Sequence, residues 1–207
     1  MLRDGIWPRF SEEEFSWLNG SEFYIAFPIS SFCDIPIRAA KHHRAKYGDY
    51  AVAIHKNYAV QLNLTPVWYI VEDSFCAEDL RQRFPRKGRF TLQGAKHCDL
   101  FPFLPLMKVA VGTQPSRDKK AVGHEAMDFV EECEWRFVCR ALSSEHWRQS
   151  YSRGFVVDSD HQKTLGMKIK LRPEMIAAVF APTTQAVKDL RQTFPSLCSL
   201  IRRWSTH

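Results

Sequence analysis

Between Ser31 and Val71 the chain alternates apolar runs with polar, helix-shaped ones, with a signal at nearly every junction, in the pattern strand, helix, strand, helix, strand. Ser31–Cys33 ends an apolar run that begins at Phe23, and Pro36 then opens a helix, where a missing N–H has no consequence. Ile37, Ala40 and Tyr47 recur at helical spacing, and Gly48 is placed to end that helix in a left-handed conformation. Tyr50–Ile54 reads as a short buried strand and Asn57–Asn63 as a polar helix. Pro66–Val71 reads as a strand with proline at its first residue.

The flanks carry weaker signals. Ser11 with Glu14 has the spacing of a capping box and predicts a short helix through Leu18. Phe23–Phe27 predicts a strand interrupted at Pro28. Ser74 caps a helix reaching about Phe84, and the run Leu92–Val111 predicts a short helix broken by Pro102 and Pro105. Gly112–Gly123 is polar and basic, as expected of a loop. A strand is expected over Met127–Cys139 and a helix over Ser143–Tyr151. Strands are expected at Phe155–Val157, Lys168–Leu171 and Ala178–Ala181, then a helix capped by Thr184 and a helical tail from Ser196 to Trp204. The pattern gives one compact α+β domain with a mixed, mostly antiparallel sheet flanked by short helices. Its core spans about 21–182, and 183–207 forms a helical tail.

Composition narrows the function classes. The 207 residues suffice for one well-cored domain, and 45% hydrophobic with 25% charged content is ordinary for a globular chain. No apolar run approaches the roughly 18–20 residues of a membrane helix, and MLRDGIWPRF lacks the shape of a signal peptide. A cytoplasmic protein is expected. The six cysteines are dispersed, without zinc-ligand spacing, so reduced thiols and no metal are expected; Cys133 and Cys139 sit among apolar residues as buried cysteines do. A net charge of +6 favours an acidic partner, including nucleic acid. The basic residues cluster at Arg38–Lys46, Arg81–Arg89, Arg117–Lys120 and Arg202–Arg203, which serve equally well as solvated faces.

Chemistry centres on the strand near Trp135. Alternation places Cys133, Trp135 and Phe137 on one face and Glu132, Glu134 and Arg136 on the other. Desolvating three charges costs several kcal/mol, so the charged face is expected to meet solvent, a cleft or a partner. Trp135, Phe137, Val67 and Ile54 are then expected inside. The two carboxylates and Arg136 form either an ion-pair network or a site in which a carboxylate acts as base or transition-state stabiliser. His43, four residues before Tyr47 on one helix face, is available for proton work or is an ordinary packed histidine. Asp34 either caps the helix opened by Pro36 or belongs to the site. No phosphate loop, dinucleotide fingerprint or G-x-S-x-G motif is present.

The pattern Phe32-Cys33-Asp34-Ile35-Pro36, His43, Tyr47-Gly48 and Pro66-Val67-Trp68-Tyr69, with Phe129–Val138 around Glu134-Trp135-Arg136, resembles the AbiGi family of abortive phage-resistance proteins over about Leu2 to Pro182. The resemblance marks Asp34, His43, Tyr69 and Glu134 as its polar positions and implies a phage-defence role, with a cognate toxin or antitoxin as partner. The layout is also similar to ADP-ribosyltransferase-like toxins. That analogy implies an NAD-dependent transferase in which Glu134, Glu132 and His43 are catalytic and Asp34, Tyr69 and Arg136 bind the cofactor. It further implies a strand before Phe23 carrying a polar anchor, which the sequence pattern does not supply. The readings left open are an effector enzyme, a non-enzymatic antitoxin or regulator, and a basic nucleic-acid-associated domain using the Arg81–Arg89 loop.

Overall fold

A computed structural model describes residues 2–84, 91–113, 126–139 and 146–204. Its strands are β1 (Arg9–Glu14), β2 (Tyr24–Cys33), β3 (Ala51–Ile54), β4 (Thr65–Pro66), β5 (Trp68–Ile70), β6 (Met107–Val109), β7 (Val111–Thr113), β8 (Ala126–Asp128), β9 (Glu134–Val138), β10 (Arg148–Ser150), β11 (Ile176–Ala181) and β12 (Ile201–Arg203). The α-helices are α1 (Ser16–Asn19), α2 (Lys41–Tyr47), α3 (Lys56–Gln61), α4 (Phe75–Arg83), α5 (Leu92–Ala95), α6 (Asp158–Gln162) and α7 (Thr184–Thr193). The class is α+β, as expected, and the chain packs as two compact units. The larger comprises Trp7–Asp34 and Thr65–Lys168; the smaller comprises Met1–Ile6, Ile35–Leu64 and Ile169–His207.

The larger unit is built on β2. β1 lies antiparallel along one side of it, while β9 pairs with its C-terminal half and β10 with its N-terminal half on the other. Pro28 does not interrupt this strand. β9 pairs from Ile29 onward and β10 up to Ala26, so Pro28 stands where one partner ends and the other begins. A missing N–H there removes no ladder bond, and the Pro28 carbonyl still accepts from the Cys139 amide at 3.0 Å. Ile25, Phe27 and Ile29 form one inner face, packed with Phe15, Trp17, Leu104 and Met107 into the main core.

Two expectations fail at this sheet. Ser11 and Glu14 belong to β1, not to a capped helix, because six residues from Arg9 to Glu14 find partners on β2; the short helix begins only at Ser16. The expected faces of the Trp135 strand are also reversed. The registers Ser31↔Arg136 and Cys33↔Glu134 put both charged residues on the side of Ile25, Phe27 and Ile29. Glu134 and Arg136 are buried, whereas Trp135 and Phe137 are half-buried on the opposite face; of the expected interior residues, Val67 is buried and Ile54 half-buried.

The remaining elements follow local signals more closely. Ser74 caps α4 by accepting from the Ala77 amide at 3.1 Å. Phe101–Leu106 forms the expected broken helix, a 3-10 segment containing Pro102 and Pro105, and leads into β6 beside β5. Pro66 ends β4, which pairs with β9, while β5 pairs with β6, so the expected single strand divides between two sheets. Residues 148–150 of the expected Ser143–Tyr151 helix form β10, and 140–145 lie outside the described residues. Phe155–Val157 is not a strand, and of Lys168–Leu171 only Ile169 makes a β-bridge, to Ile6.

The smaller unit has a three-stranded sheet in the order β12-β11-β3, with β12 parallel and β3 antiparallel to β11. On one face Val179, Ala181 and Ile201 pack with Val187 and Leu197; on the other Ala178 and Phe180 pack with Ala40 and Trp204. α2 ends at Gly48, whose φ of +101° explains why glycine stands there. α7 is capped by Thr183 rather than Thr184, and the tail is a 3-10 segment followed by β12 rather than a helix.

Candidate functional site

Three carboxylates and two cations converge on the inner face of the larger unit, at the end of its apolar core. Arg136, 1% exposed, lies at the centre. Its Nε and Nη2 donate to the two oxygens of Glu134 at 2.8 and 3.1 Å, a fork-to-fork pair. Nη2 also lies 2.9 Å from Glu13 on β1, and Nη1 donates to the Pro105 carbonyl at 2.7 Å. That last bond ties the proline-broken segment to the sheet. Lys108 Nζ on β6 reaches Glu132 at 2.8 Å and Glu134 at 3.0 Å, and sits 4.3 Å from the ring centre of Phe129. Ser31 Oγ completes the shell by donating to Glu134 Oε1 at 2.6 Å.

Glu134 is therefore held by donors on both oxygens: Ser31 and Arg136 on Oε1, Lys108 and Arg136 on Oε2. Its backbone is pinned as well. The Glu134 amide donates to the Tyr69 hydroxyl at 2.8 Å, and its carbonyl accepts from the Val67 amide at 2.9 Å. Burial pushes the Glu134 carboxyl up, but Arg136, Lys108 and the Ser31 hydroxyl outweigh it and bring the pKa down to about 2. Burial pulls the Lys108 ammonium down, yet Glu13, Glu134 and Glu132 hold it above its ordinary value. For Arg136 the same carboxylates overcome desolvation and keep the guanidinium charged. Burial raises the Tyr69 hydroxyl.

A pH dependence follows from Glu134. Its folded pKa lies below its ordinary 4.5, so the stabilisation is complete above that value and is lost as pH falls from about 4.5 toward 2. The shift corresponds to about 3 kcal/mol. Denaturant midpoints should fall through this window in the parent, and the gap between parent and Glu134→Gln should close as pH approaches 2.

The sequence-marked residues are distributed unevenly. Glu134, Glu132, Arg136 and Tyr69 meet here, although Glu132 lies in a 3-10 turn (Phe129–Glu132) rather than on the strand, and Cys133 follows it with φ of +43°. That turn leaves Cys133 exposed rather than buried as expected, while Cys139 is buried; all six cysteines are free thiols. Asp34 joins the rim through its amide, which donates to the Cys133 carbonyl at 3.0 Å. Pro36, not Asp34, holds the N-cap position of the following turn. His43 belongs to the smaller unit, where its ring lies 5.7 Å from that of Tyr47 and its Nε2 is buried without a partner.

Glu13 and Lys108 escaped the sequence reading, and the Ser31 hydroxyl, expected to bond backbone, bonds the Glu134 carboxylate instead. Lys108 had a legible signal: a lone lysine inside the apolar run Leu106–Val111 implies a carboxylate close by. Glu13 lies on β1, a strand where the sequence pattern gave a capped helix. The residues do not fit a bound NAD at Glu134 and Arg136. One carboxylate has donors on both oxygens, and the guanidinium, 1% exposed, is spent on Glu134, Glu13 and Pro105. Among the described residues no group of three His, Cys, Asp or Glu could hold a metal ion, and no helix is long and apolar enough to cross a membrane.

The basic clusters are partly used in local structure. Arg81 donates to the carbonyls of Trp17 and Glu72 at 2.6 and 2.7 Å, and Arg83 pairs with Asp79 at 2.8 Å. Residues 85–90 and 114–125, which include the rest of the Arg81–Arg89 cluster and all of Arg117–Lys120, lie outside the described residues.

No solved structure matches the chain. A similar protein is the abortive phage resistance protein AbiGi of Lactococcus lactis subsp. cremoris, 26% identical over 156 residues. The match covers 63% of this chain and 60% of the relative, so the chain spans less than two thirds of the relative's length. The family model described as "Putative abortive phage resistance protein AbiGi, antitoxin" matches residues 8–182, which include every member of the ionic centre. With most of its length matched by that model, the chain belongs to the AbiGi family.

Proposed function

We propose that the chain serves abortive phage resistance as a non-enzymatic, antitoxin-type component that restrains a cognate toxin, with its ionic centre acting as an internal strut. The observation that carries this reading is the state of Glu134. Its two oxygens take hydrogen bonds from Ser31, Lys108 and Arg136, and its pKa stands near 2. A general base needs a pKa near the working pH and a free lone pair aimed at its substrate. A residue that steadies a cationic transition state needs an open approach. Glu134 has neither, and its neighbours have the geometry of a desolvated structural pair. The description of the matched family as an antitoxin supports the same reading.

The test is growth of cells carrying the chain alone, a candidate toxin gene taken from the adjacent reading frames alone, or both. Expression of the chain alone should leave growth unchanged, and co-expression should restore growth suppressed by the toxin. Growth arrest by the chain alone would overturn the antitoxin assignment and return the effector reading.

A further inference from the structure

The two units differ sharply in charge. The smaller holds 12 Lys and Arg against 4 Asp and Glu, net +8, while the remaining 17 and 19 leave the larger at −2. The chain's modest excess of +6 therefore conceals one strongly basic unit.

Within that unit Arg38, Lys41, Arg44, Lys46 and Arg202 belong to segments on the Phe180 side of the sheet, while Arg203, in register with Ala181, faces the other way. Ala40, which immediately precedes α2, packs on the face formed by Ala178, Phe180 and Trp204. Trp204 stacks on Phe180 at 4.3 Å and donates from its indole N–H to the Asp49 carbonyl at 2.6 Å, which fixes the segment after α2 against the end of β12. Arg44 lies 4.8 Å over the Trp204 ring and is paired with Asp49, the sole acid between Ile35 and Tyr50. Arg38 and Lys41 are exposed on the same segment, with Lys46 half-buried. Arg202 is exposed on β12, in register with Phe180. Beside these cations Tyr47 and Tyr50 are 48% and 65% exposed.

We infer that this face of the smaller unit binds single-stranded nucleic acid. Arg38, Lys41 and Arg202 supply phosphate contacts, and the exposed ring of Tyr50 supplies a stacking surface. Cations beside exposed aromatics are what an unpaired strand requires, since its bases are free to stack while its phosphates are neutralised. A solvated helix face needs no accompanying aromatics and gains nothing from gathering one sign of charge. This inference is independent of the antitoxin reading.

The test uses the full chain with a labelled single-stranded RNA of about 20 nucleotides and the corresponding DNA duplex, titrated across salt concentrations. The single strand should bind the more tightly, with log affinity falling against log salt with a slope of about −2, as three engaged cations imply. Arg38→Gln/Lys41→Gln/Arg202→Gln should reduce that slope by about 2. Tyr50→Ala should weaken single-strand binding about tenfold and leave the slope unchanged. A matched triple variant of the larger unit, Arg83→Gln/Lys96→Gln/Lys163→Gln, should bind as the parent does. Failure to bind the strand at low salt, or equal loss in the two triple variants, would overturn the inference. Retention on heparin with no binding to either oligonucleotide would also overturn it and assign the face to an acidic protein.

Discussion

Arg136→Met should destabilise the larger unit by about 3–5 kcal/mol, read as a fall in denaturant midpoint at neutral pH. The substitution keeps much of the side chain's length and removes its charge. Glu13 and Glu134 then remain buried, Glu134 with Lys108 still 3.0 Å away and Glu13 without its 2.9 Å guanidinium contact, and the Pro105 carbonyl loses its 2.7 Å donor. An uncompensated buried charge, rather than lost attraction, dominates the loss. The same reasoning predicts partial recovery when Glu13→Gln and Glu134→Gln are added to Arg136→Met, because the stranded carboxylates disappear. A single variant that unfolds with the parent's midpoint would show that the network carries no structural load.

Phe27→Ala should have an effect of similar size, about 3–5 kcal/mol, from a different cause. Phe27 is fully buried on the inner face of β2, edge-on to Phe15 at 5.9 Å and to Trp147 at 4.9 Å. Truncation leaves a cavity among rings that cannot collapse together. Trp135→Ala should cost less, since the indole is half-buried on the opposite face. Thermal denaturation of the two variants side by side checks the assignment of faces. Equal losses, or a larger loss at Trp135, would restore the orientation expected from keeping charges out of the core.

That comparison shows where sequence reasoning succeeds and where it stops. Signals that act within a few residues were legible: Ser74 as a cap, Gly48 as a helix stop, and Pro102 with Pro105 as breakers of a helix. Each rests on local backbone chemistry. What could not be read depends on partners far along the chain. β1 looks like a capped helix until β2 offers it a register, and Pro28 looks like a strand breaker until β9 and β10 divide their pairing around it.

The candidate site fails in the same way. Alternation correctly separates Glu134 and Arg136 from Trp135 and Phe137, but it cannot say which side is the interior. The rule that charges avoid the core assumes that they are unpaired. Here Glu13 lies more than a hundred residues away in sequence, and Lys108 comes from yet another strand. Their pairing makes the charged face the inner one. Tyr69 meets Glu134 through the backbone amide rather than the carboxylate.

The most direct measurement of the central claim is growth rescue by Glu134→Gln, normalised to the amount of folded protein. The substitution keeps the shape of the side chain and removes its charge, so a strut and a catalyst respond differently. The account predicts lower stability, a reduced yield of folded protein, and unchanged rescue of toxin-arrested cells per folded molecule. A Glu134→Gln chain that folds as the parent does yet no longer protects the cells would contradict it, and would place the chemistry of defence at that carboxylate.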